Sequence, residues 1–229
     1  MTVPRNPWLD LPEEPLYVLP ADRPHVEAFN RQNADSANAK YRLDTRLMPE
    51  PFGGNRQAKL VLLNRNPGLS SGDPRVHHDN QRYVAALRAN LASAPDGHHC
   101  VGLLPEFKTT PAGQWCRERC FKALINHSHA PEGLARKILS VEFHGYHSEQ
   151  WRPIGFTLPS QHYSFWLVQQ AMTRGATVVI MRGQRDWEVS VPGLRDYERL
   201  VVPHSFRSPT VSERNCGPKG FERILAALE

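Results

Sequence analysis

Lys59-Leu60-Val61-Leu62-Leu63 runs straight into Asn64-Arg65-Asn66-Pro67-Gly68. An apolar run too short for a helix, closed by a cluster of chain breakers, predicts a strand buried on both faces and ending in a tight loop. Ala176-Thr-Val-Val-Ile-Met181 has the same character, and Arg199-Leu-Val-Val202 is a shorter version. Ser140 to Tyr146 alternates enough to be a strand. Helical patterns fall between these runs. Residues 80–91 carry Tyr83, Val84, Leu87 and Leu91 at helical spacing. Residues 114–125, 131–139 and 218–228 read as further helices. Another starts at Ser160 as N-cap, buries Phe165, Leu167, Val168, Ala171 and Met172, and stops at Gly175. Helices alternating with short apolar strands predict an α/β fold, a three-layer αβα arrangement with a mostly parallel sheet of about four strands. Ligands of such sheets bind at the carboxyl ends of strands, which selects loops 64–82, 144–152, 182–193 and 203–215.

Outward from this core, residues 1–57 have another character. Prolines at 4, 7, 12, 15, 20 and 24 resist long helices and predict an extended arm packed over a domain formed by residues 58–229. One helix is expected within residues 21–37, capped at Ala21-Asp22. No run of 18 apolar residues occurs. The N-terminus lacks the apolar stretch of a secretory signal, so Cys100, Cys116, Cys120 and Cys216 are expected as reduced thiols of a cytoplasmic protein. Net charge is +5, and 22 of the 28 basic residues are Arg. That favours an anionic partner, although base composition of a genome enriches Arg as well.

Leu60-Val-Leu-Leu-Asn-Arg-Asn-Pro-Gly-Leu-Ser-Ser71 resembles the first motif of the uracil-DNA glycosylase superfamily, closest to its mismatch-specific and single-strand-selective branches. There a strand is followed by Gly-x-Asn-Pro-Gly, and a His-His pair and an aromatic come next. His77-His78 and Tyr83 are the counterparts here. Thr177-Val-Val-Ile-Met-Arg-Gly183 resembles a late strand of those enzymes, and Leu200-Val-Val-Pro-His-Ser-Phe-Arg-Ser-Pro-Thr-Val-Ser212 resembles their second motif. A C-terminal amphipathic helix follows in both. The likeness covers residues 58–229 in the same order. Two departures stand out. Asn64 takes the place of the usual Gly. In the second motif, a register set by Ser208-Pro209 puts Phe206 at the His or Asn position, whereas His204 lacks the following Pro.

The resemblance implies hydrolysis of the N-glycosidic bond of uracil or another damaged base flipped out of DNA. It assigns Asn66 to positioning the water and His204 to the departing base. An amide is no general base, so Asn66 implies slower chemistry than an Asp would give. Asn66-Pro67-Gly68 also serves as plain turn chemistry, and His204 as an ordinary loop histidine. Ser205 and Ser208 are implied phosphate contacts, and Phe206, Arg207 or Val211 the wedge filling the vacated stack. Tyr83, His144 and Tyr146 are the implied base-binding residues; Tyr83 also fits a core position, and Glu142, His144 and Tyr146 share one strand face. His147 and Glu149 near Trp151 form a minor, separate acid/base option. Cys116 and Cys120, with His98, His99 and Cys100, lack the spacing of zinc motifs and read as buried thiols. No metal or cofactor is expected, the partner is DNA, single- or double-stranded, and a monomer is favoured. Two alternatives remain: a repurposed domain that binds nucleic acid or a nucleotide without cleavage, and an unrelated α/β enzyme acting on a small phosphorylated substrate.

Overall fold

The computed structural model describes residues 4–93, 99–127, 129–207 and 209–229. Five strands form one sheet: β1 (Phe52–Gly54), β2 (Leu60–Asn64), β3 (Ile138–Glu142), β4 (Thr177–Ile180) and β5 (Leu200–Val201). Their spatial order is β1-β3-β2-β4-β5, with β1 antiparallel to β3 and every other pair parallel. The helices are α1 (Arg23–Gln32), α2 (Asp73–Asp79), α3 (Gln81–Ala92), α4 (Pro111–Trp115), α5 (Lys122–Asn126), α6 (Pro131–Lys137), α7 (Gln161–Thr173), α8 (Gln184–Ser190) and α9 (Glu213–Leu228).

Side chains that alternate along the strands divide between two cores. Val61, Leu63, Leu139, Val141, Val178 and Ile180 pack with residues of α1, α3 and α7. Leu60, Leu62, Ile138, Val179, Met181 and Val201 pack with residues of α5, α6 and α9. A strand buried on both faces has no polar side to show, which is why β2 and β4 read as unbroken apolar runs.

The arm is more than a cover. It supplies β1, so the sheet has five strands rather than four, and its Trp8, Val18, Val26 and Phe29 belong to the first core. Asp22, fully buried, accepts from Tyr146 Oη (2.8 Å) and from the Ser160 N–H (3.0 Å). β3 ends at Glu142 rather than Tyr146. The chain turns away there because Gly145 passes against Pro51 of the arm, where a Cβ would sit 2.8 Å from the proline ring. The helix expected over 114–125 is broken into α4, a π-turn over Cys116–Cys120, and α5. α8 lies inside the expected loop 182–193, and α2 inside 64–82.

Candidate functional site

β2 stands between β3, which follows it in sequence, and β4, which comes third among the parallel strands. The connections leave β2 and β4 in opposite directions, so a crevice opens beyond their carboxyl ends. Two cavities occupy it. The inner one, of about 430 Å³, reaches down to Leu62, Ser140 and Glu142. The outer one, of about 960 Å³, lies among Arg65, Trp151, Arg182, Arg185, Arg195 and Arg207. Four residues line both, Asn66, Gly68, Glu149 and Arg182, and this shared border is termed the neck.

The neck is held rigidly. Asn66 Nδ2 donates to Ser148 Oγ (2.9 Å) and the Pro67 carbonyl (3.0 Å), and lies 3.3 Å from the Tyr146 carbonyl. Ser148 Oγ gives its own hydrogen to the Gln150 carbonyl, so it accepts from Asn66. Those partners fix which end of the amide is nitrogen and leave Oδ1 without a bond among the described residues. Gly68 and Ser148 form a parallel bridge. A Cβ added at Gly68 would meet no atom within 4 Å, so open space, not crowding by the fold, surrounds this glycine.

The two cavities differ in electrostatics. The inner lining mixes apolar side chains with Glu50, Asp73 and Glu142. Glu142 Oε2 is shut off from solvent and has no hydrogen-bond partner among the described residues. Burial, and then the Glu50 charge, push its carboxyl up to about 8 against the pull of Arg182, so it holds a proton at neutral pH. Burial raises Glu50 too, opposed by His147. The outer cavity is basic. Asp186 approaches Arg65 at 3.7 Å and Glu188 meets Arg195 at 3.3 Å, while Arg182, Arg185 and Arg207 make no ion pair among the described residues. Trp151 is braced between the His144 ring, stacked at 5.1 Å, and the Arg65 guanidinium at 5.3 Å.

Glu50, His77 and His147 bring one potential metal-ligand atom each within 4.8 Å of one another. Their hydrogen bonds do not suit a cation. The Met48 N–H donates to His77 Nδ1 (3.1 Å), which leaves that ring's proton on Nε2, the atom facing Glu50. His147 sets Nδ1 2.8 Å from the Gly68 carbonyl and Nε2 3.0 Å from the Met48 carbonyl, so each nitrogen already faces a backbone oxygen. Neither ring turns a lone pair inward. The cluster instead ties the first-motif loop to the arm, with His77 kept neutral by burial, which lowers it to about 3.

Of the residues that the resemblance assigned to catalysis, base binding or DNA contact, Asn66, Phe206 and Arg207 line the crevice. Tyr83 does not: it is buried against Phe107 and His77 at 5.2 and 5.4 Å, as its place on the apolar face of α3 allowed. Tyr146 is also core, turned toward Asp22 of the arm. His144 lines neither cavity and acts from behind, as the ring on which Trp151 rests. His204 is exposed and lines neither cavity; its N–H donates to the Asn215 carbonyl (2.7 Å). Ser205 is held through its N–H by Asn215 Oδ1 (2.9 Å). Ser208 and His98 lie outside the described residues. Val211 is fully buried, which excludes it as a wedge, and all four cysteines are buried free thiols. His147 and Glu149 are not a separate site, because Glu149 belongs to the neck and His147 braces it. Glu142, named from sequence only for sharing a strand face with His144 and Tyr146, lines the inner cavity, as do Arg182 and Trp115, a 40% exposed ring, neither of which was singled out. Gly145, an unlikely residue inside a strand, was the available sign that β3 stops early and presents Glu142. Comparison with protein-family models, with curated proteins and with solved structures finds no match to this chain.

Proposed function

We propose that this protein is a base-excision N-glycosylase, with the base of a flipped nucleotide in the inner cavity and the DNA backbone along the outer one. The observation that carries this reading is the neck. A basic, aromatic-lined groove shares Asn66, Gly68, Glu149 and Arg182 with a pocket large enough for one planar base. Breaking the bond between sugar and base leaves negative charge on the base and draws a water to the sugar carbon. Asn66 Oδ1, held by its amide, accepts a hydrogen bond from that water. The Arg182 guanidinium faces the developing anion across the neck. Protonated Glu142, at the floor, offers the base edge a neutral hydrogen-bonding group. Trp115 offers a ring for stacking.

His204 stands away from both cavities, and this favours a second reading in which the same crevice binds nucleic acid without cleavage. One assay separates them. Labelled single- and double-stranded oligonucleotides carrying uracil, hypoxanthine or mismatched thymine are incubated with the protein, and abasic sites are then cleaved with alkali. Strand scission that disappears in Asn66→Ala supports excision. DNA binding with no scission on any substrate supports the second reading.

A further inference from the structure

Asn66 can hold a water but cannot take its proton, so the reaction lacks a base as described so far. We infer that Glu149 is that general base, a catalytic residue on the loop after β3. The inference rests on the N-glycosylase reading and completes it.

Three observations lead to Glu149. It is the only carboxylate among the residues lining both cavities, so it stands where the sugar between base and phosphate must pass. Its backbone is fixed beside Asn66: Ser148, immediately before it, pairs with Gly68 and accepts from Asn66 Nδ2 at 2.9 Å. It is also exposed and unpaired amid arginines. Asp186 and Glu188 on α8 approach Arg65 and Arg195, yet Glu149 makes no ion pair or hydrogen bond among the described residues. A carboxylate left free in a groove meant for phosphates works against binding, through like-charge repulsion, unless it serves the chemistry.

The step balances. Glu149 takes one proton from the water held by Asn66 Oδ1, and the water oxygen forms the bond to the sugar C1′. The bond from C1′ to the base nitrogen breaks, and its electron pair leaves with the base. Glu142 gives the base a proton and regains one from solvent, while the proton on Glu149 passes to solvent, so both carboxyls return to their starting states. No oxidant, metal or further reactant is required.

The test measures single-turnover release of free base, together with DNA affinity, for Glu149→Gln and Glu149→Ala. Glu149→Gln should lower the rate by about 10²- to 10⁴-fold. DNA affinity should be unchanged or tighter, since a negative charge has been removed. Added formate, a small carboxylate, should restore part of the rate of Glu149→Ala. Glu149→Gln within about threefold of the wild-type rate would overturn the assignment while leaving the N-glycosylase reading in place. Slow release with weakened DNA binding and no rescue by formate would make Glu149 a structural residue and overturn it equally. A wild-type protein that releases no base would remove both readings together.

Discussion

Asn66 and Gly68 lie two positions apart in one turn, and the fold uses them differently. The Asn66 amide nitrogen is committed to Ser148 and the Pro67 carbonyl, so its oxygen is aimed by the protein rather than by a ligand. Gly68 is left without neighbours in front of it. Gly183, by contrast, is required by the fold: its φ is +73°, and a Cβ there would come 2.9 Å from the Arg65 side chain. The contrast gives a prediction. Gly68→Ala should leave the melting temperature nearly unchanged, because the added methyl meets no protein atom, yet should lower base release at least tenfold by intruding on the neck. Thermal unfolding and a release assay on one preparation check it; a loss of stability equal to the loss of activity would contradict it. Asn66 was legible in the sequence because turn chemistry after a buried strand is a local pattern. Glu149 stood out only as part of a separate acid/base option, since its relation to Asn66 depends on a bridge across 80 positions.

At the scale of elements, β3 decides the floor of the inner cavity. The strand pairs with β2 so that Glu142 lies opposite Asn64, at the carboxyl end of the sheet. A longer strand would have carried His144 and Tyr146 into the site and left Glu142 in the sheet's interior. The early end was hidden because its cause is remote: Pro51 of the arm fills the space beside Gly145. β2, β4 and α7 were legible because burial on both faces, or on one helical stripe, writes itself into local composition. β1 was not, since Phe52-Gly-Gly54 has no strand pattern and is made a strand by the open edge of β3.

The end of β3 also carries a consequence for stability. An unfolded carboxyl ionises near its ordinary value of 4.5, whereas Glu142 in the fold holds its proton until about 8. Between those values the folded chain binds a proton that the unfolded chain has released. The contribution of Glu142 is therefore fully present below about pH 4.5 and is lost as the pH rises through about 8. Glu142→Gln, which cannot ionise, should be more stable than wild type at pH 8.5, and the gap should close toward pH 5. Urea unfolding at the two pH values tests this; a gap independent of pH would show that Glu142 ionises normally in the fold.

For the whole molecule, the important feature is a division of charge. Arginines from the loop after β4, from α8 and from the second-motif loop converge outside the neck, while the carboxyls of Glu50, Asp73 and Glu142 lie inside it. On the proposed N-glycosylase reading, this division would keep phosphates in the outer groove and admit a neutral base within. Arg207, exposed and without an ion pair among the described residues, should act as a phosphate contact. Arg207→Gln should weaken binding to all oligonucleotides alike and reduce the slope of log affinity against log salt by about 0.7 to 0.9. A slope unchanged from wild type would place the DNA elsewhere. The arrangement as a whole was only partly legible. The positive net charge and the motif order pointed to nucleic acid, but neither showed that His204 would lie outside the crevice.

The proposed role of the neck is to break a bond rather than merely to grip a nucleic acid. The most direct measurement is the rate of free-base release in single turnover, with DNA saturated by protein, for wild type and Asn66→Ala side by side. The account predicts release by wild type and a rate lower by about 10²- to 10³-fold in the variant at equal DNA affinity, the scale expected when one positioned hydrogen-bonding group is removed from a transition state. Equal release rates in the two proteins, or none in either while both bind DNA, would contradict it.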